Sequence, residues 1–65
     1  FMNITLNGAA TTTDAATVEA LVAEVGAPAD GTAVAIDGEV VPRSQWGRKL
    51  HDGAVADILT AVQGG

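Results

Sequence analysis

Apolar and polar side chains alternate strictly from Met2 to Asn7, with Met2, Ile4 and Leu6 on one side and Asn3, Thr5 and Asn7 on the other. A period of two is that of a half-buried strand. Asn7-Gly8 follows. Asn-Gly after such a run is the strongest short-range hairpin signal, because a type I′ turn needs positive φ at both central residues. Ala9 to Thr13, rich in β-branched Thr, is the returning arm.

The period then changes. Val18, Leu21, Val22 and Val25 fall at i, i+3, i+4 and i+7, the stripe of an amphipathic helix. Thr17 is placed to cap its N-terminus, and Glu19 in the first turn faces the positive end of the helix dipole. Gly26 stops the helix, and Pro28, Asp30 and Gly31 make a loop. Ala33 to Asp37 reads as a strand, Asp37-Gly38 as a turn, and Glu39 to Val41 as a short strand ended by Pro42. Arg43 to His51 shows no clean period and is expected to be a turn of helix and a loop. Asp52-Gly53 turns the chain once more into a last strand, Val55 to Val62.

Both faces of that last strand carry apolar residues: Ala56, Ile58, Thr60 and Val62 on one, Val55, Asp57, Leu59 and Ala61 on the other. A strand covered on one side by a helix has no need of Leu59 on the other, so the outer sheet face is expected to meet a partner. The order β-β-α-β-(β)-β is that of an α+β, ubiquitin-like β-grasp domain: a small mixed sheet with one main helix packed across it. In this arrangement the final strand is central and leaves as a projecting tail.

At 65 residues the chain is one domain with a thin stability margin and little room for a buried active site. Thirteen of the hydrophobic residues are Ala. The expected core is therefore Ile4, Leu6, Val18, Leu21, Val22, Val25, Val34, Ile36, Val41 and Ile58. Eight acidic residues against three basic ones give a formal charge of −5, the wrong sign for a nucleic-acid partner. The absence of Cys excludes disulfides, a zinc knuckle and side-chain thiol chemistry. No signal peptide or membrane-length apolar run is recognised, so a cytoplasmic location is expected, with no membrane partner. Phe1 before Met2 reads as an added residue, with Met2 the natural start.

Gly64-Gly65 puts an unhindered carboxylate at the end of a tail expected to be flexible over residues 63–65. Glycine, lacking Cβ, passes close to the walls of a narrow channel. Three residues beyond Val62 reach about 10 Å when extended. A carboxylate is a poor electrophile, so a chain that works through it depends on another enzyme to activate it, usually as an acyl adenylate made from ATP.

Met2-Asn3-Ile4 through Asn7-Gly8, Val41-Pro42-Arg43-Ser44-Gln45-Trp46, Leu50-His51-Asp52-Gly53 and the closing Thr60-Ala61-Val62-Gln63-Gly64-Gly65 together resemble the ThiS family, the sulfur carrier proteins of thiamine biosynthesis. The likeness runs from Met2 to Gly65. It implies a carrier with no catalytic side chains and no cofactor, whose Gly65 carboxylate is adenylated by a ubiquitin-activating-like, ThiF-like enzyme with ATP. A sulfur donor enzyme then supplies sulfur for a thiocarboxylate, which passes to a ThiG-like thiazole synthase. Gly64 lets the tail thread. The chain departs from the family pattern at Ala54, where an acidic residue is common, and near Ala56, where a larger apolar residue is common.

Arg43 and Trp46 have the character of interface anchors, and with Leu59 they are the candidate partner contacts. For Trp46 the plainer role is to close one edge of a small core, and for Arg43, Arg48 and Lys49 it is a solvated loop. His51 beside Asp52 suggests a catalytic pair, but no Cys or Ser stands in a recognisable motif with it, and one His among scattered carboxylates makes no metal site. Asp37 and Asp52 precede Gly as ordinary turn residues. Three other functions share the tail or the fold: a β-grasp sulfur carrier for another pathway such as molybdopterin synthesis, a ubiquitin-like modifier joined to lysines through Gly65, and a plain binding module.

Overall fold

A computed structural model of the chain describes residues 1–60. Strand β1 (Met2–Leu6) pairs antiparallel with β2 (Ala9–Thr13), in register from Met2 opposite Thr13 to Leu6 opposite Ala9. The connecting residues Asn7 (φ 50°) and Gly8 (φ 82°) both have positive φ, as the Asn-Gly pair demands. A second hairpin repeats the device: β3 (Thr32–Ile36) returns through Asp37 (φ 53°) and Gly38 (φ 81°) into β4 (Glu39–Val41). Asp37 thus belongs to the turn, one residue beyond the strand expected to contain it.

Strand β5 (Val55–Thr60) lies between the two hairpins, and the sheet runs β2-β1-β5-β3-β4. It is parallel to β1 and antiparallel to β3, which makes the sheet mixed and β5 central. Inward-facing Ile4, Val34, Ile36, Val41, Ala56 and Ile58 form one core with Val18, Leu21 and Val22 of helix α1 (Val18–Val25). Ala61 and Val62, expected to complete the last strand, and the tail 63–65 lie outside the described residues.

Helix α1 begins as its sequence requires. Thr17 has extended backbone, and its Oγ1 accepts from the Ala20 N–H at 3.1 Å. Two further N–H groups of the first turn, which no helical carbonyl can reach, are taken up by a distant segment: Val18 N–H donates to Arg48 O and Glu19 N–H to Trp46 O. These bonds dock the segment after the short 3₁₀ helix (Arg43–Gln45) against the start of α1. Its shape is therefore set by partners about thirty residues away, which explains why it shows no period of its own.

The expected core needs two corrections at the helix end and the sheet rim. Val25 is 46% exposed, and Leu6 is partly buried against the core. At the helix C-terminus Gly26 adopts φ 84° and donates to Ala23 O, while Ala27 N–H donates to Val22 O. This is a Schellman arrangement, in which the residue after the glycine packs back on the last turn. Ala27 takes up that contact with the core, leaving Val25 outside. Ala15, Trp46, Leu50, Ala54 and Ala56 join the core instead. Ala54 and Ala56 are both fully enclosed.

Candidate functional site

Gly64 and Gly65, on which the sequence places the chemistry, lie outside the described residues. What the structure shows is the base from which that segment continues, the end of β5. On one side Thr32 pairs with Thr60, and their hydroxyls lie 3.4 Å apart. The Thr32 hydroxyl also donates to Pro28 O, tying the strand end to the loop after α1. On the other side Asn7 N–H donates to Ala56 O at 2.9 Å, and Asn7 Oδ1 accepts from Ile58 N–H at 2.8 Å.

The start of β5 is gripped in the same manner by the other hairpin turn. Asp37 N–H donates to Val55 O at 2.7 Å, and Asp37 Oδ1 accepts from Val55 N–H at 2.9 Å. The first residue of each type I′ turn therefore holds the central strand with both its backbone and its side chain. Turn signals in the sequence show the hairpins but not this second use of Asn7 and Asp37, because it depends on β5 arriving between them.

The helix-distant face of the sheet is open. Leu59 is 73% and Val40 72% exposed, and with Ala33, Ala35 and Asp57 they border a shallow, almost wholly apolar depression. Leu59 was legible from the two-sided pattern of β5; Val40, its neighbour across β3, was not, because β4 is only three residues long. Arg43 is exposed and paired with Asp30, and Arg48 reaches Glu39 at 3.2 Å. Trp46 is 3% exposed, and its Nε1–H donates to Val41 O at 3.1 Å. It closes an edge of the core, which leaves it little surface to offer a partner directly.

His51 stands next to Asp52 in the chain, but the Asp52 carboxylate accepts from Asn3 N–H at 2.7 Å. The His51 ring instead spans two oxygens: Nε2 lies 2.6 Å from Asp37 Oδ2, and Nδ1 lies 3.0 Å from the main-chain O of Asp52. Its hydrogen bond to Asp37 raises the His51 pKa, with the Asp52 carbonyl adding to the effect. The Asp37 carboxyl is lowered, first by the Val55 N–H and then by His51. Among the described residues no three His, Cys, Asp or Glu side chains are placed to hold a metal.

A sequence model of the ThiS family matches residues 4–65. The crystal structure of the thiamine biosynthesis protein ThiS from Geobacter metallireducens superposes with a TM-score of 0.81 at 32% identity, covering 98% of this chain and 100% of that one. A solution structure of a thiamine biosynthesis protein from the same organism gives the same TM-score and identity, over 98% of this chain and 88% of that one. No curated protein matches significantly. With a match across nearly its whole length, the chain belongs to the ThiS family.

Proposed function

We propose that this protein is a sulfur carrier of thiamine biosynthesis and that the Gly65 carboxylate is its reactive group. The observation that carries the reading is the family match extending through residue 65, so that Gly64-Gly65 falls within the matched pattern. In the proposed cycle a carboxylate oxygen of Gly65 attacks the α-phosphorus of ATP in a ThiF-like adenylating enzyme, and pyrophosphate leaves. A sulfide-level nucleophile from a sulfur donor enzyme then attacks the acyl carbon and displaces AMP, leaving a terminal thiocarboxylate. A ThiG-like thiazole synthase takes the sulfur from it.

The protein acts here as a co-substrate and supplies no catalytic side chain. Its own contribution is physical: a folded body for partners to grip and a strand that delivers the terminus. The outer face around Leu59 and Val40 is the docking surface we assign to the activating enzyme, because an apolar patch rimmed by polar residues is what a specific interface uses. Arg43, beside the buried Trp46, is assigned as an accessory contact. The net negative body suits a basic docking surface on the partner.

The experiment is to incubate the chain ending at Gly65 with ATP, a sulfur source and the adenylating enzyme of the same organism, and to follow AMP formation. Adenylation that is lost on deleting Gly65 supports the reading. A ladder of higher-mass conjugates dependent on Gly65 would instead favour a protein modifier.

A further inference from the structure

Strand β1 is too short to support β5 along its whole length. The parallel pairing matches Thr5 with Val55 and Leu6 with Ala56, and its main-chain bonds at the two ends are Thr5 N–H to Ala54 O and Asn7 N–H to Ala56 O, both 2.9 Å. The next rung of a continuing parallel ladder would join the Ile58 N–H to the main-chain carbonyl of residue 7. At Asn7, however, the chain turns away with φ 50° into the β1–β2 hairpin. The Ile58 N–H, in a residue 9% exposed, would lose its partner at a site where an unpaired donor is costly.

The side chain of Asn7 supplies that missing rung. Its Oδ1 lies 2.8 Å from the Ile58 nitrogen, where a longer β1 would have offered backbone. Asn suits the position on two independent counts. It tolerates positive φ better than most residues, and its side chain is short enough to return an oxygen to the neighbouring strand. Glycine would meet the first requirement and fail the second. The consequence falls on the end of β5, two residues before Thr60 and seven before Gly65.

We propose that Asn7 is a positioning residue for the C-terminal segment: by replacing the rung that β1 cannot make, it holds β5 in the sheet at Ile58 and so sets how well Gly65 is presented to the activating enzyme. The proposal rests on the carrier reading above. Asn7 touches neither ATP nor the reacting carboxylate. Its effect is on the order of the strand that precedes the carboxylate, a cost otherwise met on binding.

Two substitutions separate the side-chain bond from the turn. Asn7→Gly keeps the positive φ, in a turn where Gly8 already shows it is accommodated, and removes the acceptor; Asn7→Asp keeps an oxygen in place. Ala20→Gly, on the exposed side of α1, serves as a control that lowers stability without touching β5. Two readouts are taken on the full chain: amide hydrogen exchange of Ile58 by NMR, and kcat/KM for adenylation by the same-organism enzyme.

Asn7→Gly is expected to speed Ile58 exchange about tenfold, the equivalent of one lost hydrogen bond of roughly 1.4 kcal/mol, and to lower kcat/KM severalfold. Asn7→Asp is expected to restore both, and Ala20→Gly to leave kcat/KM unchanged. Unchanged Ile58 exchange in Asn7→Gly would overturn the anchor. Faster exchange with wild-type kcat/KM, or an equal loss in Ala20→Gly, would overturn the positioning role and leave a purely structural bond. If the wild-type chain is not adenylated at all, the carrier reading and the presentation role fall together, while the exchange data still decide whether Asn7 anchors β5.

Discussion

His51 Nε2 and Asp37 Oδ2 lie 2.6 Å apart, joining the β3–β4 turn to the loop that leads into β5. The other ring nitrogen faces the Asp52 carbonyl, which can only accept. Both ring nitrogens are therefore called on to donate, and only the doubly protonated imidazolium can do so. The raised His51 pKa and the lowered Asp37 pKa follow from this geometry.

The pair makes stability depend on pH with a defined sign. A His whose folded pKa lies above its ordinary 6.5 contributes fully below 6.5 and loses that contribution as pH rises through the raised value. Asp37, lowered from 3.8, contributes fully above 3.8 and loses it as pH falls through the lowered value. The pair's contribution is thus greatest between 3.8 and 6.5. An NMR titration of His51 is expected to show a midpoint above 6.5 that drops in Asp37→Asn, which retains an oxygen for the Val55 N–H. A midpoint at or below 6.5 in the wild type would contradict the pairing.

The N-cap of α1 gives a second test. Thr17→Ala removes the oxygen that accepts from Ala20 N–H and is expected to cost about 1 kcal/mol of unfolding free energy. In a domain of this size such a loss lowers Tm by several degrees. Thr17→Ser keeps the oxygen and is expected to stay close to the wild type. Thermal unfolding followed by Trp46 fluorescence reads both.

Trp46 separates packing from hydrogen bonding. Trp46→Phe retains most of the ring but removes the indole N–H that Val41 O accepts in addition to its ladder bond, at a cost of about 0.5–1.5 kcal/mol. Trp46→Ala adds a cavity under the 3₁₀ helix and is expected to cost about 3–5 kcal/mol, a large share of the stability of so small a fold. Denaturant unfolding followed by circular dichroism gives both values. A cost within about 0.5 kcal/mol for Trp46→Ala would mean that the indole is not a core residue.

Leu59 tests the outer face. Because its side chain is 73% exposed, Leu59→Ser is expected to change stability by no more than about 0.5 kcal/mol. Its effect should appear in partner binding, with the affinity for the adenylating enzyme weakened by more than about 1 kcal/mol if Leu59 is an anchor of the interface. Calorimetric titration distinguishes this from a passive surface, for which the affinity would not move.

Local patterns carried the fold well because its elements are local. The alternation from Met2 to Asn7, the Asn-Gly and Asp-Gly turns and the i, i+3, i+4 stripe of α1 each appear where short-range geometry places them. The misses share one cause, tertiary contact. Val25 sits on the apolar stripe, yet the reversal at Gly26 brings Ala27 to the core in its place. Trp46, whose plainer role is to close an edge of the core, does so where its segment is bonded to the start of α1 through Val18 and Glu19. For the site, the two-sided pattern of β5 pointed to Leu59. The grips of Asn7 and Asp37 on β5 link residues 51 and 18 apart in the chain, and no local signal encodes them.

The central claim is tested most directly by the intact mass of the chain ending at Gly65, measured after incubation with ATP, a sulfur source and the adenylating enzyme of the same organism. The account expects a gain equal to the difference between sulfur and oxygen, absent when Gly65 is deleted. An unchanged mass, with an enzyme shown to be active on an established carrier, would contradict the thiocarboxylate reading and leave a binding module.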